Sequence, residues 1–276
     1  METKEFNRKR IVLADALRGF ALMGLFLVHM VEYFELYWYV PDPGWVHDSI
    51  FFLFGGKAYG IFSLLFGFGF YIIIDNYAQR GVDFRQRFIW RISLLFLLGC
   101  IHSLLYAGDI LQILALCGLL LVFTHQLKTI SIAIITGIFL LQIPTVILAL
   151  VHGFGIFEHY NQPLHYNLSA AGFKVFAHGS FFELLQNNIL NGQLVKWTFA
   201  IETGRLWNII GLMFAGVYLG RIGFFVKKHT AKKLIVGISI SLLLNLFIQI
   251  MAPIVTVLFH DGMSQWSIGQ AFSYLE

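Results

Sequence analysis

The feature that most limits what this chain can become is the apolar run from Ile11 to Met30, interrupted by only three ionisable residues, Asp15, Arg18 and His29. A helix of about 20 residues crosses a hydrocarbon core of roughly 30 Å. It can do so because it satisfies its own backbone hydrogen bonds in lipid. Asp15 and Arg18 are three apart, so they share a helix face and can pair. His29 follows Arg18 by about three turns at roughly 3.6 residues each, which returns it to that face with Leu22 and Leu25 between. An Arg or Asp near mid-membrane costs about 2.5–3.5 kcal/mol, so the face carrying these residues is expected to meet protein or water.

The rest of the chain repeats the pattern. Of 276 residues, 58% are hydrophobic and 12% charged. A soluble domain carries about a quarter charged residues, so the composition specifies a polytopic membrane protein. The fold class is therefore all-α, a single transmembrane domain over the whole chain. Length and apolarity predict about seven spans, at about 11–31, 50–74, 86–107, 109–125, 129–151, 204–224 and 233–259. Ala107-Gly108-Asp109 alone separates the third and fourth, which predicts a tight helical hairpin.

Charge gives the orientation. Lys4, Arg8, Lys9 and Arg10 precede the first span, and Arg80, Arg85, Arg87 and Arg91 follow the second. Lys128 lies between the fourth and fifth, and Arg221, Lys227, Lys228, Lys232 and Lys233 lie between the sixth and seventh. All fall on one side of a seven-span arrangement, which the positive-inside rule makes cytoplasmic. Glu32, Glu35, Asp42, Asp48, Glu158, Glu183 and Asp261 fall on the other. The N-terminus is thus expected inside and the C-terminus outside. The net charge of +4 follows from topology and is no sign of nucleic-acid binding.

The basic start and apolar run resemble a signal peptide, but Asp15 and Arg18 interrupt the run and no small-x-small cleavage site follows. A retained signal-anchor span is expected. Cys100 and Cys117 lie inside spans and read as reduced, small hydrophobes. Residues 32–49, with Trp38, Tyr39, Pro41, Pro43 and Trp45, form an aromatic and acidic outer loop. Residues 152–203 are too long for a simple turn. Ser180-Phe-Phe-Glu183 has the form of a capping box and Gly192 that of a stop, which predicts a short interfacial helix at about 181–191.

Polar residues inside the spans are the candidates for chemistry. Gly56, Gly60, Ser63 and Gly67 form a small-residue stripe that suits close helix packing, and Lys57 lies beside it, placed to snorkel or to meet a ligand. His102 falls late in the third span, at the expected depth of His29, and Asp109 follows at once. A His and a carboxylate at one depth match a general base and its orienting partner. With Gln112 three residues on, Asp109 also fits an ordinary helix N-cap. His152, His159, His165 and His178 are too irregularly spaced for a zinc site. No glycine-rich phosphate loop, G-x-S-x-G elbow or HExxH sequence occurs.

Leu13-Ala-Asp15-Ala-Leu-Arg18-Gly-Phe-Ala-Leu-Met-Gly resembles the opening of a bacterial membrane family of unknown function typified by YeiB. The resemblance continues through Lys57-Ala-Tyr-Gly-Ile-Phe-Ser, Arg87-Phe-Ile-Trp-Arg91, Gly99-Cys-Ile-His102, Gly108-Asp-Ile-Leu and Gly211-Leu-Met-Phe-Ala-Gly216. It implies a multi-span inner-membrane protein without implying a reaction. The opening is also similar to the wider set of membrane acyltransferases, including acyltransferase-3 and heparan-acetyltransferase-like proteins, whose first span bears an Arg, ten residues and then a His. Arg18 and His29 match that spacing, although many YeiB-like sequences carry Asn in place of His29. By this resemblance a cytoplasmic acyl-CoA would pass its acyl group to an acceptor at the outer face. His29 would be base or acyl carrier, Arg18 and Lys57 would hold the anionic donor, and Asp15, His102 and Asp109 would assist. Both groups usually continue into further helices, so this chain is expected to be a natural short form, to need a partner chain or oligomer, or to be a piece of a longer protein. The same polar residues also suit a small-molecule or proton-coupled transporter, or a scaffold in which they serve helix association alone.

Overall fold

The computed structural model describes residues 11–34, 36–42, 44–154, 162–225, 231–259 and 262–274. Lys4, Arg8, Lys9, Arg10, Glu35, Pro43, Glu158, His159, Lys227, Lys228 and Asp261, which carry expectations above, lie outside the described residues. All regular structure among the described residues is helical: α1 (Val12–Val31), α2 (Trp45–Phe54), α3 (Lys57–Ala78), α4 (Arg85–Leu105), α5 (Leu111–Thr124) and α6 (Thr129–Leu140). There follow α7 (Ile143–Gly153), α8 (Leu164–His178), α9 (Phe181–Glu202), α10 (Arg205–Arg221), α11 (Ala231–Thr256) and α12 (Gly262–Ser273).

Among the described residues, three segments are long and apolar enough to cross a membrane, Val12–Trp38, Trp45–Ala78 and Arg85–Leu105. A fourth results if Thr129–Leu140 and Ile143–His152, bent by 45°, count as one span. Leu111–Thr124 and Leu242–Thr256 are apolar but shorter. The all-helical membrane character of the sequence is thus present, while the expected seven spans resolve into full-length, broken and short helices.

The breaks have local causes. Gly55 ends α2, and Gly56, at φ +69°, starts α3 in the left-handed region that glycine adopts without strain. The second expected span is therefore two helices. The fifth divides at Gln142, a left-handed non-glycine residue at φ 54° that is fully buried.

α10 is the hub of the bundle, packed on α3, α6, α5 and α9. Its Ile209 and Met213 are fully buried. The crossing with α3 needs glycine on both sides: a Cβ at Gly67 would overlap the Met213 carbonyl, and one at Gly216 the Leu64 carbonyl. The small-residue stripe of the second span is therefore a packing surface at Gly67, while Gly56 serves the helix break.

Two expectations for residues 152–203 change. α8 is an additional helix, and α9 runs 22 residues rather than stopping at Gly192. The capping box at Ser180 and Glu183 forms as the sequence predicts. Gly192 does not end the helix because it serves packing: a Cβ there would lie 3.0 Å from Asn188 Oδ1 and 3.4 Å from Ala107 Cβ. α8 and α9 pack on each other, and α9 lies against α4. A further helix, α12, follows the last expected span and is tied to α7 by Ser264 Oγ donating to the Ala149 carbonyl at 2.8 Å.

The turns after α3, α5 and α10 meet at one end of the bundle. Arg221 donates there to the Leu127 and His125 carbonyls, both at 2.6 Å. His29, Tyr106 and Asp109 lie at the other end.

Candidate functional site

α1 delivers His29 to its last turn. Beyond it Tyr33 and Phe34 both take positive φ, 49° and 51°, a conformation that costs non-glycine residues energy and often marks functional sites. This reversal brings Trp38 back, so that its Nε1 donates to Glu32 at 3.1 Å. Glu32 is buried and stands 3.5 Å from His29 Nδ1. Phe34 stacks on the His29 ring with centroids 6.5 Å apart.

α4 contributes the facing half. Its helix ends at Tyr106, which turns to an extended conformation and places its hydroxyl 3.1 Å from His29 Nδ1. One turn earlier, His102 Nδ1 meets Asp109 Oδ1 at 2.8 Å. The His102 and Tyr106 rings are 5.7 Å apart. Asp109 is buried, and its other oxygen accepts the Gln112 backbone N–H at 3.3 Å. Asp109 is thus the histidine partner; the N-cap position itself falls on Ile110, one residue later than the sequence suggested, although Asp109 still accepts an N–H from the first turn of α5. A carboxylate accepting the Nδ1 proton of His102 leaves the Nε2 lone pair available as a base. His29, His102 and Asp109, paired in the sequence only by depth, converge around Tyr106, which sequence reasoning did not single out.

Beside this cluster lies a cavity of about 780 Å³, whose wall includes Glu32, Tyr106, Asp109, His165, Lys196 and Arg205. Lys196 on its wall leads into a buried polar network. Lys196 Nζ donates to Gln112 Oε1 at 2.5 Å, Gln112 Nε2 donates to Ser103 Oγ at 3.1 Å, and Gln193 Nε2 donates to the same oxygen at 2.8 Å. Burial pushes the Lys196 ammonium below its ordinary value, while the Asp109 charge pulls it back. The Arg205 guanidinium lies over the Tyr59 and Phe199 rings, 4.6 and 5.4 Å from their centroids.

A second histidine–carboxylate pair stands at the cavity wall, which His165 lines and Glu202 supports from behind. His165 Nδ1 donates to Glu202 at 2.6 Å, and Glu202 also accepts the backbone N–H groups of Leu164 and His165. Burial pushes the Glu202 carboxyl up, but these hydrogen bonds outweigh it and hold the group below its ordinary range. Thirty-seven residues separate the partners, so no local spacing could have revealed them.

The remaining sequence candidates lie elsewhere. Asp15 and Arg18 do pair, at 3.1 Å and partly exposed, but toward the opposite end of α1 and off the cavity wall. Arg18 approaches α3 at Gly69. Lys57 is exposed and donates to the Phe52 carbonyl at 2.8 Å, closing the end of α2, and does not line the cavity. Among the described residues, no three His, Cys, Asp or Glu side chains gather as a metal would require.

Fold and site together define a helical membrane protein with a mainly apolar cavity at one end of its bundle, its wall carrying a few charged groups and His165. The chain is 36% identical over 140 residues to the uncharacterized 39.9 kDa protein in amylase 3'region of Bacillus acidopullulyticus, a match covering 48% of this chain and 39% of that protein. It is 29% identical over 137 residues to the uncharacterized protein YxaH of Bacillus subtilis (strain 168), covering 44% of this chain and 34% of that one. The matched stretch thus spans well under half the length of either relative. No family model matches the chain. No solved structure matches it either.

Proposed function

We propose that this protein is an acyltransferase-like enzyme of the bacterial inner membrane, with its N-terminus cytoplasmic and its cavity at the outer face. The orientation is supported by Arg80, Arg85, Lys128 and Arg221, which lie on turns at the end of the bundle away from His29. Such residues concentrate on the cytoplasmic side. The reaction reading rests on one observation: His29 and the His102–Asp109 pair gather around Tyr106, and Tyr106 and Asp109 form part of the wall of a partly open cavity. A histidine oriented through Nδ1 presents Nε2 as a base.

An acceptor hydroxyl in the cavity would lose its proton to histidine Nε2. Its oxygen would then form a bond to the acyl carbonyl carbon of an acyl-CoA thioester as the carbon–sulfur bond breaks. The thiolate takes up a proton, and the histidine returns its own to solvent. His29 is the base in this scheme, with Tyr106 and Glu32 holding its ring, and the His102–Asp109 pair assists. Arg18, with Asp15, lies at the end where a cytoplasmic donor arrives and is assigned to the donor's phosphates. A partner chain or second copy belongs to the same reading, since Leu242, Leu243, Phe247 and Ile250 of α11 are exposed for lipid or for neighbouring helices.

The test is a His29→Gln variant in the native host, with protein level checked. Loss of one acylated envelope lipid or glycan supports the reading. An unchanged acylation profile at normal protein level overturns it, and proton-coupled uptake by proteoliposomes without acyl-CoA turnover points to a transporter.

A further inference from the structure

The cavity is polarised, and that polarity describes its ligand. On the α1 and α4 side its acidic groups are already engaged: Glu32 accepts from Trp38, and Asp109 is held by His102 and the Gln112 backbone. The cations on the wall are Lys174, Lys196 and Arg205, contributed by α8, α9 and α10. Asn187, Asn188 and Asn191 stand among them but are spent on the fold. Asn188 donates to the Leu104 carbonyl, Asn191 donates to the Leu168 carbonyl, and Asn187 joins the two.

Lys196 is the informative member. Only 6% of it is exposed, and the hydrogen-bond acceptor of its ammonium is a neutral amide, Gln112 Oε1. A buried charge is normally matched by an opposite charge. The wall formed by α8, α9 and α10 therefore offers a cation at depth that shares the Asp109 charge with His102, a guanidinium held by aromatic rings, and an exposed lysine. Guanidinium and ammonium groups in such a set suit an anionic group with several acceptor oxygens, such as a phosphate ester. Trp38, Tyr39 and Phe51 on the same wall offer aromatic surface to the rest of the molecule.

From this arrangement we infer that the cavity binds a phosphate-bearing, hydroxyl-bearing molecule. Its phosphate lies against Lys196, Arg205 and Lys174, and its hydroxyl is directed toward Tyr106 and His29. The inference rests on the proposed transferase reading only for the role of the hydroxyl, and phosphate binding can be measured without any transfer. Two sources carry this chemistry, a free polyol phosphate and the headgroup of a phospholipid such as phosphatidylglycerol.

The experiment uses the full chain in phosphatidylcholine nanodiscs, titrated calorimetrically with sn-glycerol 3-phosphate and with glycerol as the neutral control. Saturable binding of the phosphate but not of glycerol is expected. Lys196→Gln should weaken it about tenfold, the worth of one charge-assisted hydrogen bond. Lys174→Gln, at an exposed position, should weaken it less and preserves the test if the Lys196 variant does not fold. In nanodiscs containing phosphatidylglycerol, loss of glycerol 3-phosphate binding identifies the lipid headgroup as the occupant, and unchanged binding identifies the free phosphate. Equal binding of glycerol, absence of binding in both nanodisc types, or full affinity in both lysine variants overturns the inference. Phosphate binding without acyl transfer would leave it standing while removing the transferase reading.

Discussion

Tyr106 joins the histidines that the sequence displays separately. Its hydroxyl lies 3.1 Å from His29 Nδ1 and its ring packs beside His102. Tyr106→Phe keeps the ring and removes the bond, so stability should fall by only about 1 kcal/mol, the net worth of one hydrogen bond. If His29 is the base, turnover should fall much further, because the imidazole keeps only the longer Glu32 contact to orient it. The check is denaturant titration of the purified variant beside its acyl-transfer rate; proportionate small losses would give Tyr106 a packing role alone. His29, His102 and Asp109 were legible because an ionisable residue inside an apolar run is conspicuous. Tyr106 and Glu32 were not, since a Tyr at a span end and a Glu in an outer loop are what any membrane protein places there. His165 and Glu202 escaped for another reason: their meeting depends on how α8 folds back on α9, which no spacing encodes.

Helix-scale behaviour turns on the crossing of α3 and α10. Gly216 faces Leu64 and Phe68 backbone so closely that even a methyl group would overlap the Leu64 carbonyl. Backbone cannot rotate aside as a flexible side chain can. Gly216→Ala should therefore force the helices apart and cost about 1–3 kcal/mol, the usual range for overpacking. Gly19, around which a Cβ meets nothing within 4 Å, supplies the control, and Gly19→Ala should leave stability nearly unchanged or raise it slightly. Unfolding of both variants in mixed detergent micelles measures the difference, and equal midpoints would refute a close crossing. The existence of most helices was readable from apolar run length, and the start of α9 from its capping box. Where runs break was harder to read, because Gly55-Gly56 looks like part of a packing stripe. Gly192 misled in the opposite direction: the same residue type that ends helices also permits close approach, and Ala107, the neighbour that decides between these uses, is distant in the chain.

Over the whole molecule, one carboxylate fastens the α8–α9 cap to its own start and to the cavity wall. Glu202 receives the His165 ring and the first backbone N–H groups of α8, and these bonds hold its pKa below the ordinary 4.5 despite partial burial. A group whose folded pKa is depressed stabilises the fold fully above its unfolded value and ceases to do so as pH falls through the folded value. Attachment of α8 should therefore be constant above about pH 5.5, one unit over that ordinary value, and weaken progressively below it. Hydrogen exchange read at α8 amides as a function of pH, corrected for intrinsic rates, reports this directly. Glu202→Gln retains the shape and an acceptor oxygen but cannot ionise, so its α8 protection should be lower at neutral pH and nearly flat with pH. Identical pH profiles in the two proteins would mean that other contacts hold the cap. Because His165 lies on the cavity wall, loosening of this joint should also open the cavity to water. Phosphate binding at Lys196 should then decline more steeply over the same acidic interval in the native protein than in the Glu202→Gln variant, whose remaining decline follows the second ionisation of the phosphate itself, at about pH 6.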